Sequence, residues 1–262
     1  MKIVQTLILI SLLFTINLSA TEYSFRKYSH VKEFYREVMP LALDVADKYQ
    51  LPAAAILAIA GLESGYGSGY VSQITGNILS LGAFKSDSEL PILYLPYSRS
   101  KKRVLFDPKE INSSIKDDLS WKNRPRSYKR DYRPAPYAGS KTSLELLKYN
   151  PSLKKEAYKA CLNDFATRWI VEESNIKVFR DTRVWLNKTI KEKNNNILFS
   201  MNTNIGFIEK VGGVPNSFNY RETWPKKVKL IMNRTGLVQL VNDIKNKKMS
   251  FNEAWRNNEP KR

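Results

Sequence analysis

The sequence contains one cysteine, Cys161, and one histidine, His30, among its 262 residues. Zinc sites built from several imidazoles or thiolates, and iron–sulfur clusters, are therefore excluded for this chain, because they need more of these ligands. No disulfide can form within the chain. A Ser-His-Asp or Cys-His nucleophile system would have to use His30, near the start of the folded part. The remaining chemistry is that of carboxylates, lysines, tyrosines and hydroxyls, with no metal and no organic cofactor expected.

Acidic residues are also in short supply. The chain has 43 lysines and arginines against 25 aspartates and glutamates, so its formal net charge is +18, spread along the whole length. Such a charge suits a polyanionic partner, which could be nucleic acid, anionic lipid or an acidic cell-wall polymer. A solvated, lysine-rich surface in a basic proteome would give the same balance.

The first twenty residues have the layout of a secretory signal peptide, which we place at 1–20 with cleavage after Ala20. Lys2 precedes a short apolar stretch, and small residues follow it. An uncleaved membrane anchor is the alternative. Export predicts a periplasmic or secreted protein that meets an envelope polymer or a membrane surface rather than nucleic acid, and we expect a monomer.

Residues 21–262 are expected to form a single, mainly α domain. The stretch 53–62 has no charged or polar side chain, which is typical of a buried helix, and Gly65 suits its end. Pro40 is expected to kink or split a helix over 29–49. Apolar spacing or a helix-start pattern predicts the remaining helices, which lie at 152–170, at 176–193, after Thr223 and at 237–244.

The region between these helices is rich in glycine and proline and predicts irregular structure. We expect a β-hairpin over 91–108, where apolar and polar residues alternate around a basic turn. It belongs to a long insertion over 85–140, in which 121–139 is expected to be a surface loop. The basic C-terminal tail, from residue 246, is expected to fray.

Glu63 stands out because it is the only charged residue between Lys48 and Lys85, and it ends the most apolar predicted helix. Burial and the negative end of the helix dipole should both raise its pKa. A carboxyl group that stays protonated near neutral pH can act as a general acid. The alternative is that Glu63 simply reaches solvent at a helix end. The glycines and tyrosines after it would let a bulky substrate approach and offer rings for sugar stacking.

The segment 60–84, AGLESGYGSGYVSQITGNILSLGAF, resembles the signature of the glycoside hydrolase family 73 glucosaminidases, the flagellar-muramidase and Bax-like group. Its Glu-Ser-Gly-x-Gly begins at Glu63, with Tyr66 in place of the usual tryptophan. The family's Gly-Asn pattern begins at Gly76-Asn77, with one extra residue before the final glycine. A second segment, which includes Tyr220, looks like the family's Tyr-Ala-Thr-Asp region.

The resemblance implies a lysozyme-like (α+β) fold with a small β-hairpin lobe, and cleavage of the β-1,4 bond after N-acetylglucosamine in peptidoglycan. Glu63 would protonate the leaving oxygen, and the substrate-binding residues would be Tyr66, Asn77 and Tyr220. Many members place a second catalytic carboxylate in the hairpin lobe. Glu110 is the candidate here, although its surroundings match the family only loosely, and an acetamido group of the substrate could replace it.

Two other functions are compatible with the same sequence features. A lytic transglycosylase also places Glu-Ser at a helix end and works with one carboxylate. A non-catalytic wall-binding protein could keep the same cleft.

Overall fold

The computed structural model describes residues 23–123 and 132–257. The signal peptide predicted at 1–20 lies outside the described residues. Within those two ranges, no helix is both long and apolar enough to cross a membrane.

The described chain is mainly helical with one small antiparallel sheet, as the sequence predicts. Its helices are α1 (Ser29–Tyr49), α2 (Ala53–Ser64), α3 (Tyr70–Thr75), α4 (Pro108–Ser113), α5 (Leu146–Tyr149), α6 (Pro151–Asp164), α7 (Lys177–Lys193), α8 (Met201–Val211), α9 (Trp224–Thr235), α10 (Leu237–Lys245) and α11 (Phe251–Arg256). A π-helical turn, Phe165–Trp169, continues α6. Two 3₁₀ turns lie at Lys116–Asp118 and Asn195–Phe199. The strands are β1 (Tyr94–Ser98), β2 (Arg103–Val104) and β3 (Leu119–Asn123).

Helix α2 is the centre of the fold, and its predicted burial is confirmed. It packs against α1, α8, α9 and α10, and residues 55–60 are fully enclosed. An apolar helix is stable there because no side of it faces water. The N–H of Ala55 in its first turn donates to Oδ1 of the buried Asn204 on α8, at 2.9 Å, so a donor that the helix itself cannot satisfy has a partner.

Pro40 does not split α1, so this one of the two outcomes expected from sequence, a kink or a split, is wrong. The helix continues through it to Tyr49, and its apolar face, with ten buried residues, lies on the core. Pro40 itself is on the exposed side. Solvent can therefore reach the carbonyl that loses its helical partner, and burial of the opposite face outweighs the loss of one hydrogen bond.

The hairpin predicted over 91–108 is confirmed, but the sheet is larger than predicted. Strands β1 and β2 pair antiparallel, with Tyr97 opposite Val104, and β3 adds to the other edge of β1. The expectation of a surface loop over 121–139 is wrong where the structure describes it. Residues 121–123 belong to β3, and Tyr132, Arg133 and Ala138 are buried.

The C-terminal region does not fray before residue 257. Ser250 and Glu253 form a reciprocal capping box at the start of α11, and Trp255 is fully buried. The buried side chain of Arg26 donates to the carbonyls of Ala254 and Trp255, each at 2.8 Å. The hydrogen bonds of Arg26 thus hold α11 in place from more than two hundred residues away. The sequence around the C-terminus gives no sign of this contact.

Candidate active site

Glu63 lies in the last turn of α2, where the chain leaves the core. Gly65 ends the helix in the left-handed conformation, with φ of 56°, as predicted. The Ser64 hydroxyl donates to the carbonyl of Ala60 at 2.6 Å and accepts from the N–H of Gly67 at 2.9 Å. The serine after Glu63 therefore holds the turn that follows the helix, and this turn fixes where the carboxyl group points.

The carboxyl group of Glu63 has one tightly placed partner. Nε1–H of Trp224, the first residue of α9, donates to Oε1 of Glu63 at 2.7 Å, although the two residues are 161 positions apart. Within the described part of the chain, Oε2 accepts no hydrogen bond. One carboxyl oxygen is therefore anchored and the other is available to a ligand.

Burial raises the pKa of Glu63 above its ordinary value, as expected from sequence. The hydrogen bond from Trp224 and the positive charge of Arg221 oppose this shift, since both favour the carboxylate. Burial is the largest of the three effects, so the protonated form persists to higher pH than for an exposed glutamate.

Glu63 opens into a cavity of about 470 Å³. Helix α3 and the turn after it form one wall, and the chain on either side of the sheet forms the other. Its lining includes Glu63, Tyr70, Thr75, Asn77, Phe106 and Tyr132. This volume falls within the range of small-ligand sites.

Asn77 lines the same cavity, but its side chain is occupied in holding the loop. Its Nδ2 donates to the carbonyl of Leu81, and its Oδ1 accepts from the N–H of Leu81, both at 2.9 Å. Asn77 is 6% exposed. It shapes the cavity wall, and its predicted direct contact with substrate remains a prediction.

The wall opposite Glu63 is fixed by a polar network. The hydroxyl of Tyr132 donates to Oδ2 of Asp164 at 2.7 Å, and burial raises the pKa of Tyr132. Neighbouring Arg133 donates to the carbonyl of Ala138 at 2.9 Å, and burial lowers the pKa of its guanidinium to about 10. Both side chains are held by hydrogen bonds to other parts of the chain, Tyr132 to α6 and Arg133 to the backbone of Ala138.

The other three predicted site residues are not among those that line this cavity. The ring of Tyr66 packs edge-on against Phe34 and Tyr35, and burial raises its pKa to about 12. Tyr220 is 69% exposed and precedes Arg221, whose charge acts on Glu63. Their roles toward substrate remain predictions.

Glu110 lies in α4 and is bound to two cations. Nζ of Lys101 lies 2.7 Å from its Oε1, and the guanidinium of Arg103 contacts the same oxygen. No contact joins it to Glu63. Among the described residues that line the cavity, Glu63 is the one acid.

The helix predicted after Thr223 begins at Trp224, but its sequence does not reveal the bond to Glu63. The Trp224 side chain is buried, at 3% exposure. The local Thr-Trp-Pro pattern marks a helix start, but nothing in it shows which carboxyl group the indole will meet.

Within the described ranges, no group of three or more histidine, cysteine, aspartate or glutamate side chains could hold a metal ion. Comparisons of the chain with models of protein families, with curated proteins and with solved structures find no match.

Proposed function

We propose that this protein is an exported peptidoglycan hydrolase, an N-acetylglucosaminidase in which Glu63 is the general acid. The observation that supports it most is a partly buried carboxyl group at the end of a core helix, the one acid among the described residues that line its cavity, with its pKa raised by desolvation. A group of this kind can protonate a leaving oxygen at neutral pH.

In this proposal the anchored carboxyl group does two things. Trp224 holds Oε1 of Glu63, so the proton is presented from Oε2 toward the glycosidic oxygen. As the bond breaks, positive charge develops on the sugar ring and the carboxylate that remains stabilises it. Because its pKa is raised, Glu63 keeps its proton until transfer, and the hydrogen bond from Trp224 stabilises the carboxylate that forms afterwards.

The missing partner acid decides between variants of the reaction. Because no acid other than Glu63 lines the described cavity and Glu110 is bound to Lys101 and Arg103, water activation by a second carboxylate has no obvious source. The substrate's own acetamido oxygen could instead attack the anomeric carbon as the leaving group departs, and Glu63, by then a carboxylate, would take a proton from the water that opens this intermediate. The same observation favours the second candidate, a lytic transglycosylase with one catalytic glutamate.

A lysozyme-like arrangement is part of the proposal. A helical body and a small sheet with a catalytic cavity between them would match it, and the cavity here has α3 on one side and Phe106, just after β2, on the other. The net charge of +18 would draw the protein to the anionic wall by long-range attraction. We propose peptidoglycan strands as the partner, with no role for nucleic acid, and action in the periplasm or outside the cell.

Digestion of purified peptidoglycan tests the proposal. Wild type, Glu63→Gln and a control, Glu33→Gln, would be compared, and new glycan ends identified by mass spectrometry. The control removes an exposed carboxylate that pairs with Arg36 on the surface of α1. Reducing N-acetylglucosamine ends from wild type and the control, but not from Glu63→Gln, are expected.

The other outcomes separate the alternatives. Anhydro-muramic acid ends would identify a transglycosylase. Unchanged cleavage by Glu63→Gln would refute the role of Glu63. A folded wild type that binds wall but makes no ends would be a wall-binding protein.

A further inference from the structure

A second cavity lies on the other side of α3 from Glu63. Its volume is about 750 Å³, larger than that of the cavity at Glu63. Gln73 and Ile74 of α3 face it, and Tyr70 borders both cavities. Helix α4 and strand β3 close it on the side of the sheet. Its size is that of a ligand site, and the proposed reaction does not use it.

Two aromatic side chains are fixed at this second cavity. Nε1–H of Trp121 donates to the hydroxyl of Tyr70 at 3.0 Å, which sets the two rings relative to each other. Trp121 belongs to the edge strand β3 and is 36% exposed. An indole held in place and open to solvent is a surface on which an apolar ring face can stack.

The charged side chains around the cavity neutralise one another. Nζ of Lys154 lies 2.9 Å from Oε2 of Glu37, and Nζ of Lys148 lies 2.7 Å from Oε1 of Glu145. Two acids and two bases therefore line the cavity in pairs. The chain as a whole has a net charge of +18, but the two acids and two bases that line this cavity sum to zero. This local neutrality favours an uncharged ligand over an anion.

The polar groups that remain are amides. The side chains of Gln73 and Asn112 face the cavity from opposite walls, and neither makes a side-chain hydrogen bond to the described part of the chain. Ile74, Leu144 and Leu147 provide apolar surface beside them. A ligand that combines hydroxyl or amide groups with apolar faces would use both kinds of contact.

We propose that this second cavity binds an uncharged saccharide of the N-acetylhexosamine type. A sugar ring stacks on Trp121, the amides of Gln73 and Asn112 bond its hydroxyl or acetamido groups, and the acetamido methyl packs on the apolar wall. This inference rests on the proposed function only in assuming that the sugar belongs to peptidoglycan. The second cavity would then be an additional binding site for the glycan strand that is cleaved at Glu63.

The tryptophan side chains report on the two cavities separately. The chain has five tryptophans, and the indole N–H of Trp121 lies at the second cavity while that of Trp224 bonds Glu63. Tri-N-acetylchitotriose would be titrated into the full chain, labelled with ¹⁵N-tryptophan and carrying Glu63→Gln so that the sugar stays intact. Trp121→Phe and Trp224→Phe assign the two signals.

The Trp121 signal is expected to shift in a saturable way, and calorimetry is expected to show about tenfold weaker binding for Trp121→Ala, which loses the stacking surface. Gln73→Ala, on the exposed face of α3, gives a second variant that does not alter the sheet. As a control, Gly82→Tyr adds a ring to a residue that lines the cavity at Glu63, at a position where an added Cβ meets nothing within 4 Å. It should leave the Trp121 shift unchanged.

A Trp121 signal that does not move, whether or not the Trp224 signal does, would overturn the proposal. So would a Trp121 shift whose dissociation constant Gln73→Ala leaves unchanged. This test is independent of the cleavage test. A protein that makes no new glycan ends could still bind sugar at Trp121, and a protein that cleaves peptidoglycan could fail to bind sugar there.

Discussion

Gly76 offers a quantitative test of what holds the loop 76–82, which follows α3 and lines the cavity at Glu63. It follows α3 with φ of +76°, in the left-handed region that side chains other than glycine rarely adopt. A Cβ added there would lie 2.4 Å from Cβ of Ala157 on α6, which is itself 2% exposed. The glycine is therefore needed both for its backbone conformation and for the close approach of α6.

The cost of Gly76→Ala can be worked from these two facts. The left-handed conformation costs a residue with a Cβ roughly 1–2 kcal/mol. Overpacking against a buried neighbour costs roughly 1–3 kcal/mol more. The expected loss in the free energy of unfolding is therefore about 2–5 kcal/mol. Asn77 follows directly, so the loop that it holds should be disturbed as well.

Gly82 provides the matched control in the same loop. An added Cβ there meets nothing within 4 Å, and its φ is not in the left-handed region. Gly82→Ala should change the free energy of unfolding by less than about 1 kcal/mol. The two glycines belong to one sequence pattern, so a difference between them would come from tertiary packing.

Urea denaturation of the three proteins measures the effect, with the slope m checked for constancy. Ala157→Gly removes the steric contact but keeps the backbone strain, and as a glycine inside α6 it costs about 1 kcal/mol by itself. Gly76→Ala should therefore cost less in the Ala157→Gly background than in wild type. Equal stability of Gly76→Ala and Gly82→Ala would refute the reasoning, and an equal cost of Gly76→Ala in both backgrounds would refute its steric part.

Three further predictions concern the acids. Trp224→Phe removes the donor to Glu63, so the pKa of Glu63 should rise further. The basic limb of the pH–activity profile should then move to higher pH. ¹³C titration of the Glu63 carboxyl group measures the same pKa without an activity assay. Because the folded-state pKa of Glu63 is raised, its contribution to stability is greatest below the unfolded-state pKa and is lost as pH rises through the folded-state pKa. Glu63→Gln should therefore gain in stability relative to wild type as pH rises, and parallel curves from urea melts across pH would contradict this. Glu110→Gln should keep full cleavage activity and lose about 0–1 kcal/mol of stability for each surface ion pair; loss of cleavage as complete as for Glu63→Gln would make Glu110 the second carboxylate.

Local sequence patterns were sufficient for the elements whose signals are local. The unbroken apolar run of α2 could only be stable in a core, and Gly65 could end it without strain. The alternation around a basic turn was enough to predict the β1–β2 hairpin. The isolation of Glu63 in an apolar stretch predicted its burial and the direction in which its pKa shifts.

Long-range packing decided the rest. Strand β3 is too short and polar to be recognised alone, and it exists because β1 offers it an edge. Helix α11 is held by Arg26, which lies more than two hundred residues away. The partner of Glu63 is an indole that is 161 positions distant, and the pairing of Tyr70 with Trp121 has the same origin. The local sequence of a segment determines the conformations that the segment favours. Which side chains meet depends on how the segments pack, and that packing is determined by residues along the whole chain together.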